Sequence, residues 1–150
     1  MNAVWTSVGP LYSALEEFLA ARIWGKPTDL PKGAAMAVAK GDTIIAAVLF
    51  NNYQPEAGTV EITAASDSAL WLSRAMLWEM FSYAFGQLKC QSVILRADPA
   101  NERLRRVATG YGFTRHELPN LRGKGKPEAI YILTDDAWRG NGFHRENANG

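Results

Sequence analysis

The sequence predicts an α/β protein built on one mixed sheet with helices on both faces. Three observations carry that prediction. AAMAVAK (34–40) and TIIAAVLFNNY (43–53) are apolar strand runs joined by Gly41-Asp42, a hairpin signal, and the turn-forming NNYQPEAG leads into a third strand, TVEITAA (59–65). The segment LSRAMLWEMFSYAFGQL (72–88) is apolar nearly all round, broken by Arg74, Glu79, Ser82 and Gln87, as a helix buried against a sheet is. It joins TVEITAA to another strand, QSVILRA (91–97), and a strand-helix-strand connection makes those two strands parallel neighbours.

The remaining elements follow in order. Leu11, Leu15, Phe18, Leu19 and Ile23 recur at helical spacing over 9–24, with Pro10 tolerated in the first turn. GKPTDLPKG (25–33) is a loop. After QSVILRA, Asp98 suits an N-cap and Pro99 the first helical position, so a short helix runs over 100–110 and stops at Gly110. GFTRHEL (112–118) and EAIYILT (128–134) are strands separated by the loop PNLRGKGKP (119–127). After the N-terminal helix the order is β-β-β-α-β-α-β-β. Trp78 falls inside the apolar helix and is expected in the core. No linker or repeat divides the chain, so residues 1–150 read as one domain, with a polar, frayed tail over about 141–150 that contains His144.

Composition excludes several classes. The chain is 47% hydrophobic and 21% charged, with net charge +1, which is ordinary for a globular protein. Residues 96–126 hold eight Lys/Arg against three acids, a local basic face that suits an anionic ligand or is only a solvated surface. Cys90 is the one cysteine, so no internal disulfide forms; a reducing, cytoplasmic setting is expected, with Cys90 a small core residue. The N-terminus lacks a signal-peptide pattern and no apolar run is long enough to span a membrane. No His/Cys/Asp cluster has metal-ligand spacing, and GKGKP is not followed by a helix as a P-loop is.

The strand and helix order, with DPANERLRRVATGYGF in its second half, resembles the GNAT superfamily of acyl-CoA N-acyltransferases. Asn101 and Gly112-Phe113 stand at that family's spacing, and the likeness covers residues 33–134. The resemblance implies acetyl-CoA as co-substrate, no metal, and transfer of an acetyl group to an amine of a small molecule or a protein. The family's pyrophosphate loop, Gln/Arg-x-x-Gly-x-Gly/Ala, aligns its three positions with Ser68, Trp71 and Ser73, so its letters are all altered here. Some phage- and prophage-type members carry a similar Trp-Leu-Ser/Thr-Arg at this place, which makes the change a branch feature. Phosphate is held by unpaired backbone N–H groups at a helix N-terminus, which exist whatever the side chains are. Leu70, Trp71, Leu72, Ser73 and Arg74 are therefore assigned to the cofactor. Ser73 offers a hydroxyl and Arg74 a charged donor. On the alternative reading Trp71 packs at the helix start and no phosphate binds, and a Trp at positive φ there would be strained.

By the same resemblance the backbone of Ile62, Thr63 and Ala64 pairs with the pantetheine arm, and Asn101 meets the cofactor at the mouth of the short helix. Glu61, the one acid on the central strand, is the candidate base, or else an outward-facing strand residue. His116 could also take a proton, or stand solvated on an edge strand. The family's usual acid, a Tyr on the short helix, is Ala108 here, and the Ser of another branch is Leu104. Tyr111 is the remaining candidate acid if the turn swings it inward; otherwise it packs in the core. GKGKP is expected to be a mobile loop beside the acceptor. The expectation is an acetyltransferase, monomeric or homodimeric. Two alternatives stand beside it: a catalytically silent domain binding CoA or a partner, and a nucleic-acid-directed acyltransferase using the 96–126 basic face.

Overall fold

The computed structural model describes residues 1–143; His144 and the rest of the expected tail lie outside the described residues. The elements are β1 (Asn2–Thr6), α1 (Gly9–Ile23), β2 (Gly33–Lys40), β3 (Thr43–Gln54), β4 (Thr59–Ser66), a 3-10 turn (Ala69–Trp71), α2 (Arg74–Phe81), β5 (Ser92–Ala97), α3 (Glu102–Tyr111), β6 (Thr114–Gly123), β7 (Lys126–Thr134) and α4 (Asp135–Gly140). Helix α2 continues as a π-helical segment over Ser82–Gln87, closed by Leu88 N–H donating to the Tyr83 carbonyl at 2.9 Å. The seven strands form one sheet in the order β1-β2-β3-β4-β5-β7-β6. The β4/β5 pair is parallel, as the sequence predicts; every other pair is antiparallel.

That topology decides which face each helix covers. Both β5 and β6 run antiparallel to β7, so they are parallel to one another, and β4-α2-β5 and β5-α3-β6 step across the sheet in one direction. Crossovers of one hand in one direction put both helices on one face. The larger core accordingly holds Met76, Met80, Phe81 and Phe85 beside Ala108, Tyr111 and Trp138 of α3 and α4. The opposite face is covered by α1, whose Tyr12, Leu15, Phe18 and Leu19 pack with Leu30 of the following loop on Ala35, Ala37, Ala47 and Leu49. Small alanines on β2 and β3 let α1 approach closely. Gly33 is required where β2 begins, because a Cβ there would meet the Phe50 carbonyl oxygen at 1.8 Å.

Five expectations are corrected. A strand precedes the N-terminal helix: β1 pairs with β2 and lays Trp5 on Phe50 and Tyr83, at 5.5 and 4.7 Å between ring centres. Helix α3 is capped by Asn101, whose Oδ1 accepts from Leu104 N–H at 3.1 Å; Asp98 instead closes a turn by accepting from Ala100 N–H. That helix passes through Gly110 and stops at Gly112, where φ is 123°. The expected loop 119–127 is a continuous β6/β7 hairpin with a bulge between Leu118 and Gly123, because Asn120, Gly123 and Gly125 adopt positive φ. An edge strand tolerates Pro119 within it. Trp78 is 41% exposed and stacks on the buried Trp138 from the margin of the larger core, since only part of α2 faces the sheet. In addition α4 follows β7, capped by Thr134 with Asp135 and Asp136 in its first turn.

Among the described residues no helix is long and apolar enough to cross a membrane. Leu15 is fully buried between α1 and the sheet. Leu15→Ala is expected to lower unfolding free energy by about 2–5 kcal/mol in urea denaturation. A loss below about 1 kcal/mol would mean that α1 is not seated on the sheet as described.

Candidate functional site: a forked sheet beneath two helix N-termini

The central strands part. β4 and β5 pair from Thr59↔Ser92 to Ile62↔Leu95 and no further. Beyond that row β4 stays joined to β3 as far as Ser66↔Ala46, and β5 stays joined to β7 as far as Ala97↔Ala129. Each arm is held by its outer neighbour and not by the other, which leaves a fork with two strand edges facing inward. Such edges present backbone N–H and C=O groups to whatever lies between them. Thr63 and Ala64 lie on the β4 arm of the fork and Ile62 at its root.

Above the fork both strands turn into helices. On the β4 side Ser68 caps the 3-10 turn by accepting from Leu70 N–H at 3.2 Å, and Ser73 caps α2 by accepting from Met76 N–H at 3.2 Å. Trp71 is buried in the larger core. Among the described residues only Asn52, Lys89 and Asn120 combine a side chain with positive φ, so Trp71 bears no left-handed strain. This turn is built from two serine caps where a glycine-rich one would use left-handed residues. The first N–H groups of α2 and α3 have no intrahelical acceptor, and both helices begin at the carboxyl ends of adjacent strands. Two positive dipole ends therefore meet at the fork, and Arg103 of α3 ties them by donating to the Ala69 carbonyl at 3.2 Å. A bidentate pair of Arg22 with Asp67, 2.7 Å on each bond, fixes the start of the turn to the end of α1.

The structure places other sequence-predicted residues elsewhere. Arg74 Nη1 donates to the Phe143 carbonyl at 3.1 Å and its guanidinium lies 4.9 Å from that ring, so in this structure it engages the C-terminal segment. Tyr111 ends α3, a ten-residue helix about 15 Å long that starts at the fork. The ring is buried and its hydroxyl accepts from Trp138 Nε1 at 3.0 Å. Burial pushes its pKa up. Tyr111 is a core residue at the far end of the sheet. His116 is exposed on β6, separated from Arg96 by Ile130 of β7, so it does not reach the fork. The basic face is largely engaged within the protein: Arg96, Arg105, Arg115 and Arg122 pair with acids and Arg103 with a carbonyl. Cys90 is buried, which pushes its thiol pKa up and keeps it inert.

Glu61 does stand at the fork, with both oxygens engaged. Its Oε2 accepts from Asn51 Nδ2 at 3.1 Å and Asn52 Nδ2 at 2.6 Å, and Oε1 lies 2.8 Å from Arg96 Nε. Asn51, Asn52, Arg96 and Glu128 were absent from the sequence-derived set. Their one signal is polarity inside otherwise apolar strands. Two surface depressions of about 580 and 590 Å³ lie near Met1 and near Lys89, and neither is lined by a residue of the fork.

No protein-family model and no curated protein matches this sequence. Solved structures do match in fold. A T. thermophilus protein described as an acetyltransferase superposes with TM-score 0.69 at 18% identity, over 99% of this chain and 94% of its own. A GCN5-related N-acetyltransferase from Brucella melitensis gives 0.62 at 16% over 86% and 71%, and a spermidine N-acetyltransferase from Vibrio cholerae gives 0.60 at 12% over 71% and 68%. For another protein described as an acetyltransferase (TM-score 0.59, 18% identity) the match spans 69% of this chain and 63% of that one, a little under two thirds of its length. The fold is that of the GNAT N-acetyltransferases.

The Arg22–Asp67 tether has a pH signature. Hydrogen bonding from Arg22 lowers the Asp67 pKa below its ordinary 3.8, with direct charge attraction adding to it. A carboxyl lowered on folding contributes stability above its unfolded value and loses it as pH falls through the folded one. Asp67→Asn should therefore lower the Tm at neutral pH. The gap from wild type should close as pH falls below about 3.8, Asp67's ordinary value. A gap that does not narrow at all as the pH is taken below about 3.8 would contradict the pairing.

Proposed function

We propose that the protein is an acetyl-CoA-dependent N-acetyltransferase that moves an acetyl group directly to an amine. The observation that carries this is the fork: two inward strand edges directly below two converging helix N-termini. Backbone donors at the starts of α2 and α3 suit the pyrophosphate, and the inner edge of β4 at Thr63 and Ala64 suits the amide-bearing pantetheine arm. The shared fold with acetyltransferases supports the same reading. Asn101 contributes by capping α3 at the mouth.

The thioester carbonyl then sits between the arms, polarised by a β4 backbone N–H. The amine nitrogen bonds to the carbonyl carbon, the carbon–sulfur bond breaks, and the ammonium proton and thiolate exchange with water at the open side. Alignment of amine and thioester supplies much of the acceleration. Glu61 acts by holding the fork, its two oxygens being already engaged. The acceptor is a small-molecule or protein amine, approaching from the face opposite α2 and α3, and the enzyme acts as a monomer or homodimer in the cytoplasm. A second reading, CoA binding without turnover, is favoured by Ala108 standing where an acid is expected and by the burial of Tyr111.

Titration calorimetry with acetyl-CoA, with dephospho-CoA as control, tests the binding half. A Kd of about 1–100 μM, roughly −8 to −5 kcal/mol, followed by thiol release with an amine panel, is the expected result. Binding without thiol release would select the second reading, and no binding would overturn both.

A further inference from the structure

The β4/β5 ladder ends at Ile62↔Leu95, and a chain of ion pairs crosses the sheet at that row. Val60, Ile62, Val93 and Leu95 point into the larger core, so Glu61 and Arg96 project from the opposite face. Arg96 Nε lies 2.8 Å from Glu61 Oε1 and Arg96 Nη1 3.3 Å from Glu128 Oε2. Arg122 Nη1 holds the other Glu128 oxygen at 3.1 Å. Asn51 and Asn52 of β3 hold Glu61 from its far side, and Thr63 Oγ1 donates to Asn51 Oδ1 at 3.2 Å. The carboxylates are the sheltered members: the Glu61 and Glu128 side chains are 15% and 10% exposed. Sheltered, hydrogen-bonded pairs are less screened than surface ones. The chain thus runs across β3, β4, β5, β7 and β6 and joins β4 to β5 at the row where the ladder between those two ends.

Glu61 faces Ile94 in register, so Arg96 is its diagonal neighbour, reaching back along β5 to meet it. The pair ties the two arms at the root of the fork while β3 and β7 hold each arm from outside. We propose that Glu61 is a positioning residue, which sets the opening of the fork through Arg96 and thereby the slot for the pantetheine arm. This rests on the CoA reading above. The nucleotide end of CoA would lie at the helix N-termini, beyond the reach of this pair.

Calorimetry separates the two ends. Wild type, Glu61→Gln and Arg96→Lys are each titrated with acetyl-CoA and with adenosine 3′,5′-bisphosphate, which has no arm. Glu61→Gln keeps the shape and loses the charge; Arg96→Lys keeps the charge and replaces the two nitrogens that hold the two carboxylates with one. Both variants are expected to weaken acetyl-CoA about tenfold, or about 1.4 kcal/mol, with bisphosphate affinity unchanged. Equal weakening of both ligands would indicate a general structural role and overturn the inference. So would unchanged affinity for acetyl-CoA, and either variant alone suffices if the other does not fold. Failure of wild type to bind acetyl-CoA would overturn the CoA reading itself, and the inference with it.

Discussion

The parting of β4 and β5 is the constraint on which the rest depends. A parallel pair ordinarily continues its ladder for as long as both strands run. Here each strand is claimed by its outer partner, β4 by β3 through Ser66 and β5 by β7 through Ala97, while the ladder between them stops at Ile62 and Leu95. A sheet opened in its middle exposes backbone groups that need a partner. A chain of amide groups can supply one, and a pantetheine arm is such a chain. The same topology sends α2 and α3 to one face and starts both at the mouth of the fork, so two helix N-termini and two open strand edges come together there.

The residues at the mouth do this without the glycines that such turns often use. Ser68 and Ser73 cap successive turns, Trp71 fills the core beneath them, and no residue between them takes a left-handed conformation. On the other face, polar residues within the sheet are satisfied by one another. Among the described residues no buried side-chain polar atom lacks a partner. That accounts for Asn51 and Glu128 among the otherwise hydrophobic buried residues of the sheet.

Much of the fold was legible because its signals are local. The Gly41-Asp42 hairpin, the apolar run of α2 and the strand-helix-strand order set the parallel pair at the centre. What was misread depended on context. Strand β1 is short and gains its backbone ladder from β2, a partner more than 25 residues away in sequence. The 119–127 segment has loop composition, yet β6 and β7 extend into it from both sides and meet at a turn over 124–125. The α4 start has a local signal, a Thr134 cap followed by Asp135 and Asp136 in the first turn. At the site, spacing located the turn and the strand, but not what each side chain meets. Tyr111 lies one helix length from the fork, and Glu61 is engaged by residues from β3 and β5, contacts that sequence separation conceals.

The central claim is that the inner edge of β4 receives an acyl-CoA arm. Amide hydrogen exchange with and without acetyl-CoA tests it most directly. The account predicts that added protection concentrates at residues 63–66 and at the starts of α2 and α3, with little change at α1 or in the β6/β7 hairpin. Protection that appears elsewhere while residues 63–66 exchange as before would contradict it.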